Sequence, residues 1–377
     1  MKSSTLAIHA GTIHEKEFQP VNSPIFQSTT AYYTHDGECQ YPRYYNMPAQ
    51  AAVVEKIAAL EGAETGMLYA SGMSAIAAIL TGCFRKGDHL IFQSELYGGT
   101  HHFIQTELPK YGIEFSFIDV SDRDALYASY RPNTKGIYIE TPSNPLLKII
   151  DLEAIAGFAQ THGLLSIIDN TFASPINQNP IKWGIDLVMH SGTKYLGGHS
   201  DLIFGVVVGA KKHIAQLKEF SVNFGPCING ATCGLIERSI KTLGVRIDRH
   251  NSNALWLAEQ LRKESFIDRV FYPGLSDHPG HALAKKQMNG FGGMLSFELK
   301  ADENGIIKFM ENLRVIKPAV SLGGVESLLT SPRYTSHVKI GPQGRLLMGI
   351  RDNLLRLSVG IEDAEDLLHD IQQAAQR

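Results

Sequence analysis

The chain has 377 residues, 44% apolar and 19% charged, the balance of an ordinary globular protein with room for two packed domains. Its 35 basic and 38 acidic residues leave a net charge of -3, which argues against nucleic-acid binding and against steering to a membrane surface. No apolar run is long enough to span a bilayer, and Met1-Lys2-Ser3-Ser4-Thr5 lacks the apolar core of a signal peptide, so a cytoplasmic location is expected.

Residues 1–47 are rich in Pro, Tyr, Gln and Thr without a sustained helical period, and read as an extended arm. From Ala49 onward, Val53, Val54, Ile57, Ala58 and Leu60 recur at helical spacing until Gly62 stops them. Short apolar runs then alternate with helical stretches: 66–70, 90–93, 115–120, 136–140, 164–169, 186–190 and 205–208. Several of these runs are apolar without alternation, as in strands covered on both faces. They predict an α/β unit over 48–243 with a mainly parallel, doubly wound sheet. Beyond Gly244 the pattern changes. A long helix around 249–263, a Pro- and Gly-rich stretch at 272–280, an alternating strand at 294–299, a strand at 355–359 and a terminal helix from Glu362 predict a smaller α+β domain over 244–377.

The chemistry gathers at strand ends. Lys194, in Ser191-Gly192-Thr193-Lys194-Tyr195, directly follows the run Asp186–His190. A lysine at the carboxyl end of a buried strand points into the crevice where open α/β sheets bind ligands. Desolvation there strips its proton and prepares it to form an imine with an aldehyde. A lone lysine is more often a solvated surface charge, but Ser191 and Thr193 flank this one with hydroxyls suited to phosphate oxygens. Asp169 ends another apolar run. It is either a turn residue or a carboxylate that keeps a pyridine nitrogen protonated. Ser71-Gly72-Met73-Ser74 opens a helix after a strand, a weak signal alone but a ready phosphate cradle. Tyr97 is a ring-stacking candidate or a core tyrosine. Arg356, a charge inside an apolar strand, needs either an internal acid or a substrate carboxylate. Arg43 lies in the aromatic arm, whose reach is toward a phosphate on a neighbouring subunit.

These motifs occur together and in order: Tyr41-Pro42-Arg43, Ser71-Gly72-Met73, Tyr97-Gly98-Gly99-Thr100, Glu140-Thr141-Pro142-Ser143-Asn144-Pro145, Asp169-Asn170-Thr171, Ser191-Gly192-Thr193-Lys194, Ser321-Leu322-Gly323-Gly324 and Arg356-Leu357-Ser358-Val359-Gly360. Over nearly its whole length the chain resembles the Cys/Met-metabolism pyridoxal-phosphate enzymes of fold type I, the cystathionine lyase and synthase group. The resemblance implies pyridoxal 5'-phosphate as cofactor and an amino acid as small-molecule substrate. Lys194 is then the Schiff-base lysine and proton shuttle, Asp169 the partner of the pyridine nitrogen, and Tyr97 the ring-stacking residue that assists proton transfer. Gly72, Met73, Ser191 and Thr193 hold the phosphate, and Tyr41 and Arg43 reach it from the partner subunit. A homodimer is the implied minimum unit, and a tetramer the usual assembly. Asn144, Ser321 and Arg356 hold the substrate carboxylate or tune the cofactor hydroxyl. Glu326 matches the γ-cleaving lyases and γ-synthases.

The implied activity is cleavage of cystathionine at a carbon–sulfur bond, by β- or γ-elimination, in transsulfuration. The rival within the family is a γ-synthase or O-acylhomoserine sulfhydrylase. Outside it stands a catalytically silent regulatory protein, against which an intact Lys194 and Asp169 argue. A nicotinamide-binding protein is disfavoured because the glycine fingerprint with its acidic partner is absent. Gly99 stands where methionine γ-lyases usually carry cysteine, and Arg333-Tyr334-Thr335-Ser336-His337 departs from the family pattern and is given no role. Cys39, Cys83, Cys227 and Cys233 form no Cys-x-x-Cys pair, and His101, His102 and His199 lack the companions of a metal site.

Overall fold

The computed structural model describes residues 1–33, 37, 39–335, 338 and 341–376. Its first sheet has seven strands: β1 (Thr65–Tyr69), β2 (His89–Gln93), β3 (Glu114–Ile118), β4 (Thr134–Glu140), β5 (Leu165–Asp169), β6 (Leu187–Ser191) and β7 (Gly205–Gly209). They lie in the order β1-β7-β6-β5-β4-β2-β3. All neighbouring pairs are parallel except those of β7, which runs antiparallel to β1 and β6. Every residue of β2 and β7 is buried, which is why these segments lack alternation.

Helices cover both faces. Val53, Ile57 and Leu60 of the helix Pro48–Glu61 pack with Ile168, Val188 and Val206 on one face. Ile76, Ile79 and Leu80 of the helix Gly72–Gly82 pack with Ile167, Leu187, Met189 and Val207 on the other. Gly62 closes the first of these helices at φ +75°, a left-handed conformation that glycine adopts without Cβ strain.

The second sheet is β10-β11-β12-β9-β8, built from β8 (Ile267–Phe271), β9 (Met294–Leu299), β10 (Lys317–Pro318), β11 (Leu328–Thr330) and β12 (Leu354–Ser358). The sequence alternates along β9, yet all six of its residues are buried. Leu295, Phe297 and Leu299 enter the local core, while Ser296 faces the first sheet's loops and donates from Oγ to the Pro145 carbonyl oxygen at 2.7 Å. The alternation marks a polar contact between two parts of the fold, not a solvent face. The long helix starts at Leu243, six residues before the expected 249, and the terminal helix spans Ala364–Ala375.

The arm is not wholly extended. Ser3–His9 is a helix, with Ala7 buried, and the Lys56 Nζ donates to the Ile8 carbonyl oxygen at 3.1 Å. A seven-residue element with one buried side chain leaves too little periodicity to detect. Pro42–Tyr44 forms a short 3-10 turn. No helix among the described residues is long and apolar enough to cross a membrane.

Gly205, the first residue of β7, lies against the loop that opens the helix Gly72–Gly82. A Cβ there would press into the Ser71 carbonyl oxygen and sit 3.0 Å from the Gly72 Cα. Gly205→Ala is expected to lower stability by about 1–3 kcal/mol, the usual cost of overpacking. Urea denaturation of the variant beside the unsubstituted protein measures it.

Candidate active site

Because β1, β6, β5, β4 and β2 run in one direction, their carboxyl ends open along a single edge. This is the edge where open α/β sheets bind ligands. A cavity of about 600 Å³ lies there, and ten residues expected from the sequence line it: Gly72, Met73, Tyr97, Asn144, Asp169, Ser191, Thr193, Lys194, Ser321 and Arg356. Tyr41, Arg43 and Glu326 do not. Arg43 donates to the Val222 carbonyl oxygen at 2.8 Å and lies over the Tyr44 ring, while Glu326 accepts from the Ser200 hydroxyl outside the cavity wall. Ser336 and His337 lie outside the described residues.

Lys194 sits in the turn just after β6, and its Nζ donates to Ser321 Oγ at 2.8 Å. Burial, reinforced by the nearby positive charge of Arg356, lowers its ammonium pKa to about 8. Ser321 holds this position with a φ of +87°, a strained conformation for a residue with a Cβ.

Asp169 ends β5. Burial pushes its carboxyl up, opposed by hydrogen bonds from the Thr171 hydroxyl and N–H and by the charge of His190. Thr171 Oγ1 also accepts from the Ser191 N–H at 2.8 Å, so one hydroxyl couples the ends of β5 and β6. Neither Thr171 nor Glu140 was singled out from the sequence, although both stand within the quoted motifs. Glu140 ends β4 and accepts from the N–H groups of Tyr97 (2.8 Å) and Asn144 (3.1 Å), tying two cavity loops to the sheet. Its carboxyl is raised well above the usual range, first by burial and then by the Asp169 charge.

Arg356, in β12, is the second sheet's contribution. Its Nη1 donates to Asn144 Oδ1 at 2.9 Å and its Nη2 to the Ser321 carbonyl oxygen at 3.2 Å, while Nε has no partner among the described residues. Burial lowers its pKa to about 10. A buried guanidinium whose terminal nitrogens meet only neutral oxygens is set up to receive a carboxylate.

At the opposite end, Ser71 caps the helix Gly72–Gly82. Its Oγ accepts from the Ser74 N–H at 3.1 Å, and the helix opens with Gly72 and Met73 on the cavity wall. A Cβ on Gly72 would lie 2.8 Å from Ser191 Oγ, so glycine keeps the helix end and the β6 loop close enough to share one anion. Thr193 Oγ1 accepts from the Phe204 N–H at 3.2 Å, which fixes the loop carrying Lys194. Gly99 lets Tyr97 lie inward: a Cβ there would sit 3.2 Å from the Met73 sulfur and press on the Tyr97 ring. His101 stacks on Phe117 and His199 bonds the Gly197 carbonyl oxygen, so both have structural partners.

The family model for Cys/Met metabolism PLP-dependent enzymes matches residues 4–376. The chain belongs to that family. A cystathionine beta-lyase of Lactococcus lactis is 44% identical over 379 residues, covering 99% of this chain and 98% of that protein. A cystathionine gamma-lyase of Bacillus subtilis is 44% identical over 378 residues, covering 99% of each. Among solved structures, cystathionine gamma-lyase from Lactobacillus plantarum in complex with L-serine has a TM-score of 0.94 at 41% identity, covering 99% of this chain and 98% of that one. Cystathionine gamma synthase from Xanthomonas oryzae has a TM-score of 0.96 at 36% identity, covering 100% and 98%.

The fold is therefore fold type I, and the cofactor of this enzyme is pyridoxal 5'-phosphate. The cavity's donor set fits it: a desolvated amine for the aldehyde, a helix end that only glycine keeps close to Ser191 for the phosphate, and a buried carboxylate for the ring nitrogen.

Only the neutral amine attacks an aldehyde. Uptake of pyridoxal phosphate by the apoprotein, followed by visible absorbance, is therefore expected to quicken as pH rises and to level off above about 8. Arg356→Met removes the neighbouring charge and is expected to move that midpoint upward.

Proposed function

We propose that this enzyme is a carbon–sulfur lyase that cleaves cystathionine to homocysteine or cysteine, with a 2-oxo acid and ammonia. The observation that carries the reading is the pairing, in one cavity, of a desolvated Lys194 with a buried Arg356 that lacks an acidic hydrogen-bond partner. Its membership of a family with lyases named for cystathionine supports it. Arg356 and Asn144 hold the α-carboxylate and thereby fix which α-substituent faces Lys194. Lys194 Nζ takes the α-proton and returns it elsewhere on the substrate. Ser321 keeps the amine aimed, and Tyr97 covers the ring. Asp169 stabilises the protonated ring nitrogen, while Gly72, Met73, Ser191 and Thr193 bind the phosphate. Bound pyridoxal phosphate supplies the electron sink that makes the α-proton removable.

Synthase activity is the second reading, favoured by the match to the Xanthomonas γ-synthase. Incubation with cystathionine is expected to release pyruvate if the β-bond is cut and 2-oxobutyrate if the γ-bond is cut, each assayed with a specific dehydrogenase. Neither product, with synthesis from an acylated homoserine and cysteine instead, would turn the assignment to a synthase. Glu326 stands away from the cavity and is assigned no contact with substrate.

The proposed division of labour is an arm over 1–47, a cofactor domain over 48–243 and a C-terminal domain over 244–377 that brings the substrate carboxylate site. The arm leaves Val21 93% and Tyr32 fully exposed, apolar surface suited to a second copy of the chain. In the proposed homodimer, and in a tetramer of two such dimers, Tyr41 and Arg43 reach the phosphate of the partner's site. An amino-acid substrate and a cytoplasmic setting complete the reading. Arg43→Ala is expected to weaken cofactor binding by about tenfold or more, the worth of one charge-assisted hydrogen bond. At limiting pyridoxal phosphate, mixing Arg43→Ala subunits with Lys194→Ala subunits is expected to raise activity above that of either alone, since each mixed dimer regains one complete site. No recovery would place Arg43 in its own subunit's site or in none.

A further inference from the structure

Beneath the cavity, on the far face of the sheet, lies a carboxylate that the chemistry above does not use. Glu61 ends the helix Pro48–Glu61 and is completely buried. Its Oε1 accepts from Asn170 Nδ2 at 2.8 Å and pairs with His190 Nε2 at 2.7 Å, while Oε2 has no partner among the described residues. His190 is itself 1% exposed. A carboxylate and an imidazole are withdrawn almost wholly from water here, an arrangement that costs stability unless both are fully engaged.

The two residues held by Glu61 have telling neighbours. Asn170 directly follows Asp169, and His190 directly precedes Ser191. Successive residues of a strand face opposite sides. Asp169 and Ser191 therefore look into the cavity while Asn170 and His190 look away from it, toward the helix that carries Glu61. The strands run side by side, with Asp169 opposite Met189 and the Asn170 N–H donating to the Met189 carbonyl oxygen at 2.9 Å. Asn170 is further fixed by Gln178, whose Nε2 donates to Asn170 Oδ1 at 2.9 Å. A single oxygen thus clasps both strand ends from below, as Thr171 Oγ1 does from above.

We propose that Glu61 is a positioning residue for the cofactor ring: through Asn170 and His190 it holds Asp169 aimed and ionised under the pyridine nitrogen. The inference rests on the reading of Asp169 given above. The charge of His190 acts on Asp169 against its burial, and Glu61 is the acid that accompanies His190. Removing the Glu61 charge takes that support from His190 and loosens Asn170, while the cavity wall keeps every one of its own side chains.

The test uses holoenzyme reconstituted with pyridoxal phosphate labelled with 15N in the ring. In Glu61→Gln, which keeps the size of the side chain, the pyridine nitrogen resonance is expected to move toward that of the unprotonated ring. The kcat is expected to fall about tenfold, the equivalent of one pKa unit at that nitrogen, with KM little changed. Asp169→Asn serves as the control. If it moves the resonance while a folded Glu61→Gln leaves both resonance and kcat as in the unsubstituted enzyme, the inference about Glu61 fails and the reading of Asp169 stands. If neither substitution moves the resonance, the reading of Asp169 fails as well. Should Glu61→Gln not fold, His190→Gln takes its place with the same expected shift and the same overturning result.

Discussion

Burial is the constraint on which this site depends, and it acts on its two key groups in opposite senses. Withdrawal from water disfavours whichever form carries charge. For Lys194 that is useful, since the nucleophile is the neutral amine, and the adjacent Arg356 pushes the same way. For Asp169 it is harmful, since an uncharged acid does not stabilise a protonated ring nitrogen. The fold answers the second problem locally. Two hydrogen bonds from Thr171 and the charge of His190 favour the ionised carboxylate, and a protonated ring nitrogen of the cofactor would add a further positive partner. One cavity therefore eases the loss of a proton from an amine while local hydrogen bonds oppose the protonation of a carboxylate, because their supports differ, not because their exposure does.

The same economy governs Arg356. A buried guanidinium with an internal carboxylate would be a closed salt bridge, stable but of no use to a ligand. Here its fork ends on Asn144 Oδ1 and the Ser321 carbonyl oxygen, and Nε stays unpaired among the described residues. In the proposed reading, a substrate carboxylate offsets the desolvation cost. Ser321 serves both cationic groups at once, with its hydroxyl on Lys194 and its carbonyl oxygen on Arg356. Its left-handed backbone puts these two atoms where a relaxed residue would not, which is a plain reason for strain at this point.

Much of this was legible in the sequence because strand ends are local. An uninterrupted apolar run followed by Asp169, or by Ser191 to Lys194, announces a buried strand delivering a polar group to an edge, and no distant contact is needed to see it. The parallel sheet followed from the same runs. What stayed hidden was what depends on distant partners or on very short elements. Lys194 meets Ser321 across 127 residues of chain, and Arg356 meets Asn144 across 212. Glu61 closes a helix like any surface glutamate, and only the packing of that helix under β5 and β6 reveals where it points. Thr171 was visible as part of a motif but not as a bridge, since the bridge exists only once β5 and β6 are paired. The helix Ser3–His9 was missed for the opposite reason, being too brief to show a period. Glu326 was chosen by motif alone, and its partner turned out to be Ser200 rather than the cavity.

The two halves of the cavity also differ in how they are built. The cofactor side hangs on the ends of one mainly parallel sheet, with Asp169, Ser191 and Glu140 each the last paired residue of its strand. The substrate side comes from the second sheet and its turns. Thr330 lies directly opposite Arg356 across β11 and β12, and its hydroxyl meets that of Thr335 at 2.9 Å. Tyr334, also on the wall, is held from outside by its hydroxyl on Glu303 at 2.6 Å, and Arg333 beside it spans Glu303 and Asp352. These last ties are surface contacts of modest strength. A wall fastened that way can change its side chains, and so the substrate's reach beyond the carboxylate, without disturbing β5 or β6. In the proposed reading, that separation gives a physical basis for lyases and synthases sharing one scaffold: the groups assigned to the cofactor end the strands of the first sheet, and the wall around Tyr334 is fastened outside it.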